Sequence, residues 1–210
     1  MPIRVLIADD HGIVRDCLRM MLESQDDMTV VGEACTGLES IVLAEALHPD
    51  VVLMDISMPG LNGIEATAIL QTRLPSIKVI ILSMHNTTDY ICRAKYAGAK
   101  AYIVKASGGI EVRNTIRSVM QGHYVVSSDG RLPADLEEVK TSPLDKLSGR
   151  EREILQLVAE GNTSAIIAEL LHLSPKSVET YRSRLMLKLE LGNVQALVKF
   201  ALLHGVVPLQ

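Results

Sequence analysis

Cysteine is scarce: three residues in 210, Cys17, Cys35 and Cys92, with no C-x-x-C spacing. That scarcity excludes a disulfide framework or a zinc ribbon and suits reduced thiols in a cytoplasm. Long apolar runs are missing as well. Hydrophobic residues make up 48% of the chain, yet no unbroken stretch reaches the roughly 18 residues that would cross a bilayer. The opening MPIRVLIADD reaches two acids within its first ten residues, leaving no room for a signal-peptide core and cleavage site. The expectation is a soluble cytoplasmic protein with no membrane partner. An excess of positive charge is absent too, the net charge being -4. That sum hides an asymmetry. Up to Pro143 there are 13 Lys and Arg against 18 Asp and Glu, and from Leu144 onward 8 against 7, so the two parts are expected to meet different partners.

A chain of 210 residues exceeds the usual size of one domain. Runs rich in β-branched residues, IRVLIA (3–8), TVVGEA (29–34), VVLM (51–54), KVIILS (78–83) and AYIV (101–104), alternate with segments of helical periodicity such as Ile13, Cys17, Met20 and Met21. Alternating strands and helices imply right-handed crossovers and a parallel sheet covered on both faces. The pattern predicts a flavodoxin-like, doubly wound, five-stranded α/β domain over 1–122, whose functional crevice lies at the carboxyl ends of the strands. A linker over 123–143 follows, with a short helix around Ala134 to Val139. An all-α domain then occupies 144–210.

The strand ends carry the chemistry. Strand one ends in Asp9-Asp10, strand three in Asp55, strand four in Ser83, and strand five runs into Lys105. One Asp after one strand is ordinarily a helix cap or a solvated loop end. Four strands agreeing at one sheet edge point instead to a site. Three converging carboxylates repel one another unless a cation sits among them, and Mg²⁺ accepts such a set together with a carbonyl and waters. Asp9 and Asp10 then hold the metal, and Asp55 is both ligand and nucleophile toward phosphorus. Lys105 and the Ser83 hydroxyl would face the phosphoryl oxygens.

Over about the first 120 residues the chain resembles the receiver domain of bacterial two-component response regulators. The resemblance rests on Asp9-Asp10, the D-x-x-M-P-G block at Asp55 to Gly60, Gly63, L-S-M-H at Leu82 to His85 and A-G-A-K-A-Y-I-V-K at Ala97 to Lys105. It implies that Asp55 accepts phosphate from a sensor histidine kinase and that the Ser57 backbone carbonyl completes the Mg²⁺ shell. Ser83 and Tyr102 would form the switch pair that reports to the fourth and fifth helices. Ser57 and His85 stand where the family tunes dephosphorylation, and could equally be ordinary loop polar groups. Many receivers have proline after the lysine. Here the next residue is Ala106, so no cis bond is expected.

From Leu147 the signals are helical. Ser148-Gly-Arg-Glu151 forms a capping box, Thr163 opens a short second helix through Leu171, Ser174-Pro175 starts a third to about Leu189, and Asn193 caps a fourth to about His204. A tight joint between the second and third helices suggests a helix-turn-helix. On the third helix Val178, Tyr181, Leu185 and Leu189 make the inward stripe. Lys176, Glu179, Thr180, Ser183, Arg184 and Leu187 lie opposite, the polar ones placed for base contacts with double-stranded DNA. Arg182 and Lys188 flank the stripe within reach of phosphates. A solvated charged face is the plainer reading of that helix alone, and the helix-turn-helix context favours DNA.

The blocks L-S-G-R-E-R-E-I-L (147–155), A-E-G-N-T (159–163), L-S-P-K-S-V-E-T-Y-R-S (173–183) and Lys188-Leu189 are similar to the LuxR-type DNA-binding domain. Together with the receiver they place the chain by resemblance in the NarL/FixJ family of response regulators. That resemblance implies a phosphorylation-controlled transcription regulator, not an enzyme, which pairs as a homodimer through Val194, Val198 and Ala201 of the last helix. The same three residues could equally be intradomain core. Where members often carry Lys-Glu, this chain has Ala165-Ile166, and the apolar second helix is expected to pack through Ile166 or its neighbours on the receiver or a second protomer, or simply to tolerate surface substitution. Two other readings are weighed. A Mg²⁺-dependent phosphatase with an aspartyl nucleophile would need a second Asp two residues on, where Ser57 stands. A receiver acting only by protein binding is opposed by the second domain.

Overall fold

The computed structural model describes residues 1–126, 143–204 and 206–207. Most of the expected linker, including the short helix around Ala134 to Val139, lies outside the described residues. The chain divides into two compact units, Met1–Glu137 and Glu138–Gln210.

The first unit alternates strand and helix: β1 (Ile3–Ala8), α1 (Gly12–Glu23), β2 (Met28–Ala34), α2 (Gly37–Leu47), β3 (Val51–Asp55), α3 (Gly63–Arg73), β4 (Lys78–Ser83), α4 (Thr88–Tyr96), β5 (Ala101–Val104), α5 (Gly109–Met120) and β6 (Val125–Val126). The sheet is parallel, in the order β2-β1-β3-β4-β5-β6. The five expected strands fall where the β-branched runs lie. A sixth is added because Val125 and Val126 pair with Ala101 and Tyr102 at the sheet edge. Two residues carry no readable alternation, so the sequence gives no signal for that strand.

Burial alternates as a sheet covered on both faces requires. Leu6, Ala8, Val52, Met54, Val79 and Ile81 face one apolar layer with Ile41, Ala44, Ile64 and Leu70 of α2 and α3. Val5, Ile7, Leu53, Ile80 and Leu82 face the other with Leu22 of α1 and Val112, Ile116 and Val119 of α5. All five residues of β3 are buried, which delivers Asp55 into the interior edge of the sheet.

The second unit holds a 3₁₀ turn at Pro143–Lys146, then α6 (Gly149–Ala159), α7 (Ser164–Leu170), α8 (Pro175–Lys188) and α9 (Val194–Leu203). Each expected cap is formed. Ser148 and Glu151 close the capping box, and Thr163, Ser174 and Asn193 accept from the backbone N–H of Ile166, Ser177 and Ala196. The joint between α7 and α8 turns at His172, φ 52°, while the Leu173 N–H returns to the Ala168 carbonyl at 2.8 Å. Leu155, Val178, Leu185, Leu197 and Ala201 are fully buried in its core.

Gly63 sets how close α3 comes to β3. A Cβ there would lie 1.9 Å from the Asp55 carbonyl oxygen, and the Gly63 N–H donates to the Ile56 carbonyl at 3.0 Å. Gly63→Ala is therefore expected to force the two apart and destabilise the first unit by about 1–3 kcal/mol, read as a lower urea midpoint in the full-length protein.

Candidate functional site

The sheet register brings the acidic site together. Ala8 pairs with Met54, Asp55 with Leu82, and Ser83 with Val104. Asp9, Asp55, Ser83 and Lys105 therefore emerge beside one another at the carboxyl edge. Asp9 is fully buried and Asp55 is 2% exposed, while Asp10 is exposed. The Lys105 ammonium reaches between the two buried acids, 2.7 Å from Asp9 Oδ2 and 3.0 Å from Asp55 Oδ1. One ligand atom from each of Asp9, Asp10, His11 and Asp55 falls within 4.8 Å of all the others. Asp55 Oδ2 is buried with no hydrogen-bond partner among the described residues.

These charges oppose one another. Burial pushes the Asp55 carboxyl above its ordinary range, Lys105 offsets part of that, and Asp9 and Asp10 push it further up. Lys105 is held above its ordinary value although burial works against its charge, because Asp55 and Asp9 outweigh the burial. The ammonium is thus fixed in its charged form. The peptide bonds of the described residues, Lys105–Ala106 included, are trans.

Beside the acids, the Ser83 hydroxyl accepts from the His85 N–H at 3.0 Å. Tyr102 is fully buried, and its hydroxyl donates to the His85 carbonyl at 2.8 Å. Burial drives its phenol well above the ordinary value. The His85 ring stacks on Tyr90, centroids 4.5 Å apart, and the Arg93 guanidinium lies over the same tyrosine. Ser83 and Tyr102 therefore share one loop residue, His85, which leads directly into α4. Ser57 follows β3 and is partly buried.

Two residues of this site went unread in the sequence. His11 places Nδ1 2.7 Å from Asp10 Oδ1 and 3.3 Å from Asp9 Oδ1. Arg15 donates to the Asp9 carbonyl at 2.7 Å and pairs with Glu33, fixing the start of the acid pair. A usable signal existed for His11: it is the N-cap of α1 yet caps nothing with its side chain, at a position where Ser, Thr, Asp or Asn is the ordinary choice.

In the second unit, Lys176, Glu179, Thr180, Ser183, Arg184 and Leu187 are all exposed on α8, and Val178 and Leu185 face inward. Lys176 and Arg184 have no ion-pair partner among the described residues. The two flanking cations are used inside the unit instead. Arg182 donates to Ser164 Oγ at 2.6 Å and Glu179 Oε1 at 3.2 Å, and Ser164 also bonds Glu179. Lys188 Nζ sits 2.7 Å from the buried Glu151 Oε2. Glu151 is held below its ordinary range because Lys188 and Ser148 outweigh its burial. Of the expected dimer residues, Val194 and Val198 are partly buried. Ala201 must be corrected: it is 0% exposed in the core of its own unit and presents nothing to a partner. On α7, Ala165 is exposed and Ile166 is 45% exposed.

Residues 5–117 match the response regulator receiver domain family, and residues 145–201 match the bacterial regulatory proteins of the luxR family. The chain is 39% identical over 209 residues to the response regulator GacA of Pseudomonas viridiflava, covering 98% of each chain. It is 36% identical over 207 residues to the response regulator UvrY of Escherichia coli K12, covering 97% of this chain and 95% of that one. Among solved structures it is similar to RcsB of Salmonella enterica serovar Typhimurium bound to promoter rprA in the presence of the phosphomimetic BeF3-. There the TM-score is 0.65 at 27% identity, over 95% of this chain and 98% of that one.

Two outcomes follow from these charges. A carboxyl whose folded pKa is raised favours the fold below the ordinary carboxylate range and costs stability once ionised above its folded pKa. Asp55→Asn is therefore expected to raise the urea stability of the first unit near pH 7 by on the order of 1 kcal/mol, and the gain should vanish as pH falls through the carboxylate range. Lys188→Met would leave Glu151 buried with fewer partners and should cost the second unit about 1–2 kcal/mol, followed by thermal melting.

Proposed function

We propose, for a chain that belongs to the NarL/FixJ response regulators with a receiver domain and a LuxR-type regulatory domain, that Asp55 is the phosphoacceptor of a DNA-binding transcription regulator. The domains are taken as 1–122 and 144–210, joined by a linker over 123–143. The buried Asp55 carboxylate, its Oδ1 3.0 Å from the Lys105 ammonium and its Oδ2 unpartnered among the described residues, is the observation that carries this reading. A carboxylate so placed is a nucleophile with one oxygen free, and Lys105 stands ready to neutralise the charge that a phosphoryl group brings. A sensor histidine kinase is the proposed donor. The phosphoryl group leaves the donor's histidine nitrogen as a bond forms to Asp55 Oδ2, giving an acyl phosphate.

The acid cluster fits Mg²⁺, a hard ion that takes carboxylates, carbonyls and waters. Asp9, Asp10, Asp55 and the Ser57 carbonyl would hold it, and when bound it supplies charge neutralisation for the incoming phosphoryl oxygens. The Ser83 hydroxyl would turn to the phosphoryl group, giving up its bond from His85, and Tyr102 would carry that change to α4 through the His85 carbonyl. The family is a regulator rather than an enzyme, and Ser57 at the position two after the acceptor leaves no carboxylate for rapid hydrolysis.

The exposed face of α8 is the proposed DNA surface. Lys176 and Arg184 serve as the free cations, Thr180, Ser183 and Glu179 face the bases, and Arg182 and Lys188 brace the helix. Val194 and Val198 are the remaining candidates for a dimer contact. No helix among the described residues is long and apolar enough to cross a membrane, and a cytoplasmic site of action is the proposed one.

The test is the intact mass after incubation with Mg²⁺ and a small acyl phosphate, followed by promoter-fragment binding. One added phosphoryl group on the wild type, none on Asp55→Asn, and tighter DNA binding only for the modified protein is the expected result. A wild type that stays unmodified where a known receiver reacts overturns it.

A further inference from the structure

An acidic side chain sits in the middle of the exposed polar face of α8. Glu179 is the fifth residue of that helix, with Lys176, Thr180 and Ser183 around it, and its side chain is 60% exposed. A duplex brings phosphates to this face, so a loose carboxylate there would work against binding. Glu179 is not loose. Its Oε1 accepts from the hydroxyl of Ser164, the first residue of α7, and from Arg182 Nη1 at 3.2 Å. The same Nη1 donates to Ser164 Oγ at 2.6 Å.

These three side chains close a triangle that uses only one oxygen of the carboxylate. Glu179 Oε2 has no partner among the described residues. The Arg182 side chain is 18% exposed and its Nε is buried, so the guanidinium is fixed beside Glu179 and offsets the charge that the carboxylate would present to phosphates. Joining α7 to α8 does not require the triangle. Ile167, Ala168 and Val178 are buried in the core of the unit, and the Leu173 N–H closes the joint on the Ala168 carbonyl at 2.8 Å. What the triangle adds is a held orientation for an exposed acceptor.

Resting on the reading of α8 as the helix that enters the major groove, we infer that Glu179 Oε2 is the acceptor that selects a cytosine in each half-site, with Arg182 and Ser164 as its positioning residues. The N-terminal residues of such a helix are the ones that reach base edges. Cytosine shows that groove a single donor, its N4 amino group, with no acceptor of its own beside it. Guanine shows N7 and O6 and thymine shows O4, all acceptors that repel a carboxylate, and adenine sets N7 next to its N6 donor. An amide in the same place reads differently, because glutamine pairs with N6 and N7 of adenine together.

The test is selection from a pool of random-sequence duplexes by the full-length protein, with and without Mg²⁺ and a small acyl phosphate, followed by affinities for single-base variants of the selected site. Expected for the wild type is one position per half-site where C is preferred about 10-fold over the other bases. Glu179→Gln should move that position to A and leave the others unchanged, and Glu179→Ala should reduce its preference to within about twofold. Ser164→Ala should blunt the same position at an unchanged melting temperature, while Ser164→Thr, which keeps the hydroxyl, retains it. A Glu179→Gln protein that still selects C, or that binds every duplex more tightly with all preferences intact, shows a bystander charge and overturns the inference. A selected site with no C-specific position overturns only the role of Glu179, whereas failure of the wild type to enrich any sequence in either condition overturns the DNA reading of α8 as well.

Discussion

A single ammonium holds two buried carboxylates in place at the mouth of the sheet. Lys105 reaches Asp9 and Asp55 together, and without that cation the two acids and Asp10 would repel across a few ångströms of poorly solvated space. Much of the first unit serves to make this contact possible. The pairings of β1 with β3, β3 with β4 and β4 with β5 must each be in register, since a slip of one residue would turn Asp55 or Ser83 to the opposite face. The full burial of β3 and the close approach of α3 at Gly63 then leave the Asp55 carboxylate no route outward except into the pocket.

That constraint also couples the pocket to the surface. Ser83 lies next to the acids and is bound by the His85 N–H, the His85 carbonyl holds the Tyr102 hydroxyl, and the His85 ring rests on Tyr90 of α4. On the proposed chemistry, a phosphoryl group at Asp55 competes with His85 for one hydroxyl. The cost of breaking that bond is about the size of one hydrogen bond, roughly 1 kcal/mol, so a modest differential interaction is enough to shift the loop between two arrangements. Tyr102 is buried behind it and cannot stay put if the His85 carbonyl moves.

The sequence was most legible where structure is decided locally. β-Branched runs marked β1 to β5 to within a residue, and Ser148, Thr163, Ser174 and Asn193 announced the starts of α6 to α9, because a cap depends on neighbours three positions away. The strand-end acids were legible because topology alone brings them together. What stayed hidden depends on tertiary partners. Nothing in residues 125–126 says that they pair with β5, and nothing beside Lys188 says that its charge answers a buried Glu151. Ala201 sits at a spacing that serves an outer face or a core equally well, and only packing shows that it is core. His11 could be read from its misfit as a cap, but its direction toward the acids is set by the tertiary fold.

The withdrawal of Lys188 and Arg182 into internal ion pairs bears on how the second unit would act on DNA. On the proposed reading, with Lys176 and Arg184 as the free cations on the exposed face of α8, that face would neutralise few phosphates, and affinity from counterion release scales with that number. On that reading a lone unit would bind weakly at physiological salt, while two units held together would double the contacts and gain an effective concentration for the second half-site. On the proposed reading, weakness in the single unit would let pairing act as control: with a strongly basic α8, the unmodified chain would occupy DNA whatever the state of Asp55. The near balance of charge from Leu144 onward is the sequence-level form of the same constraint.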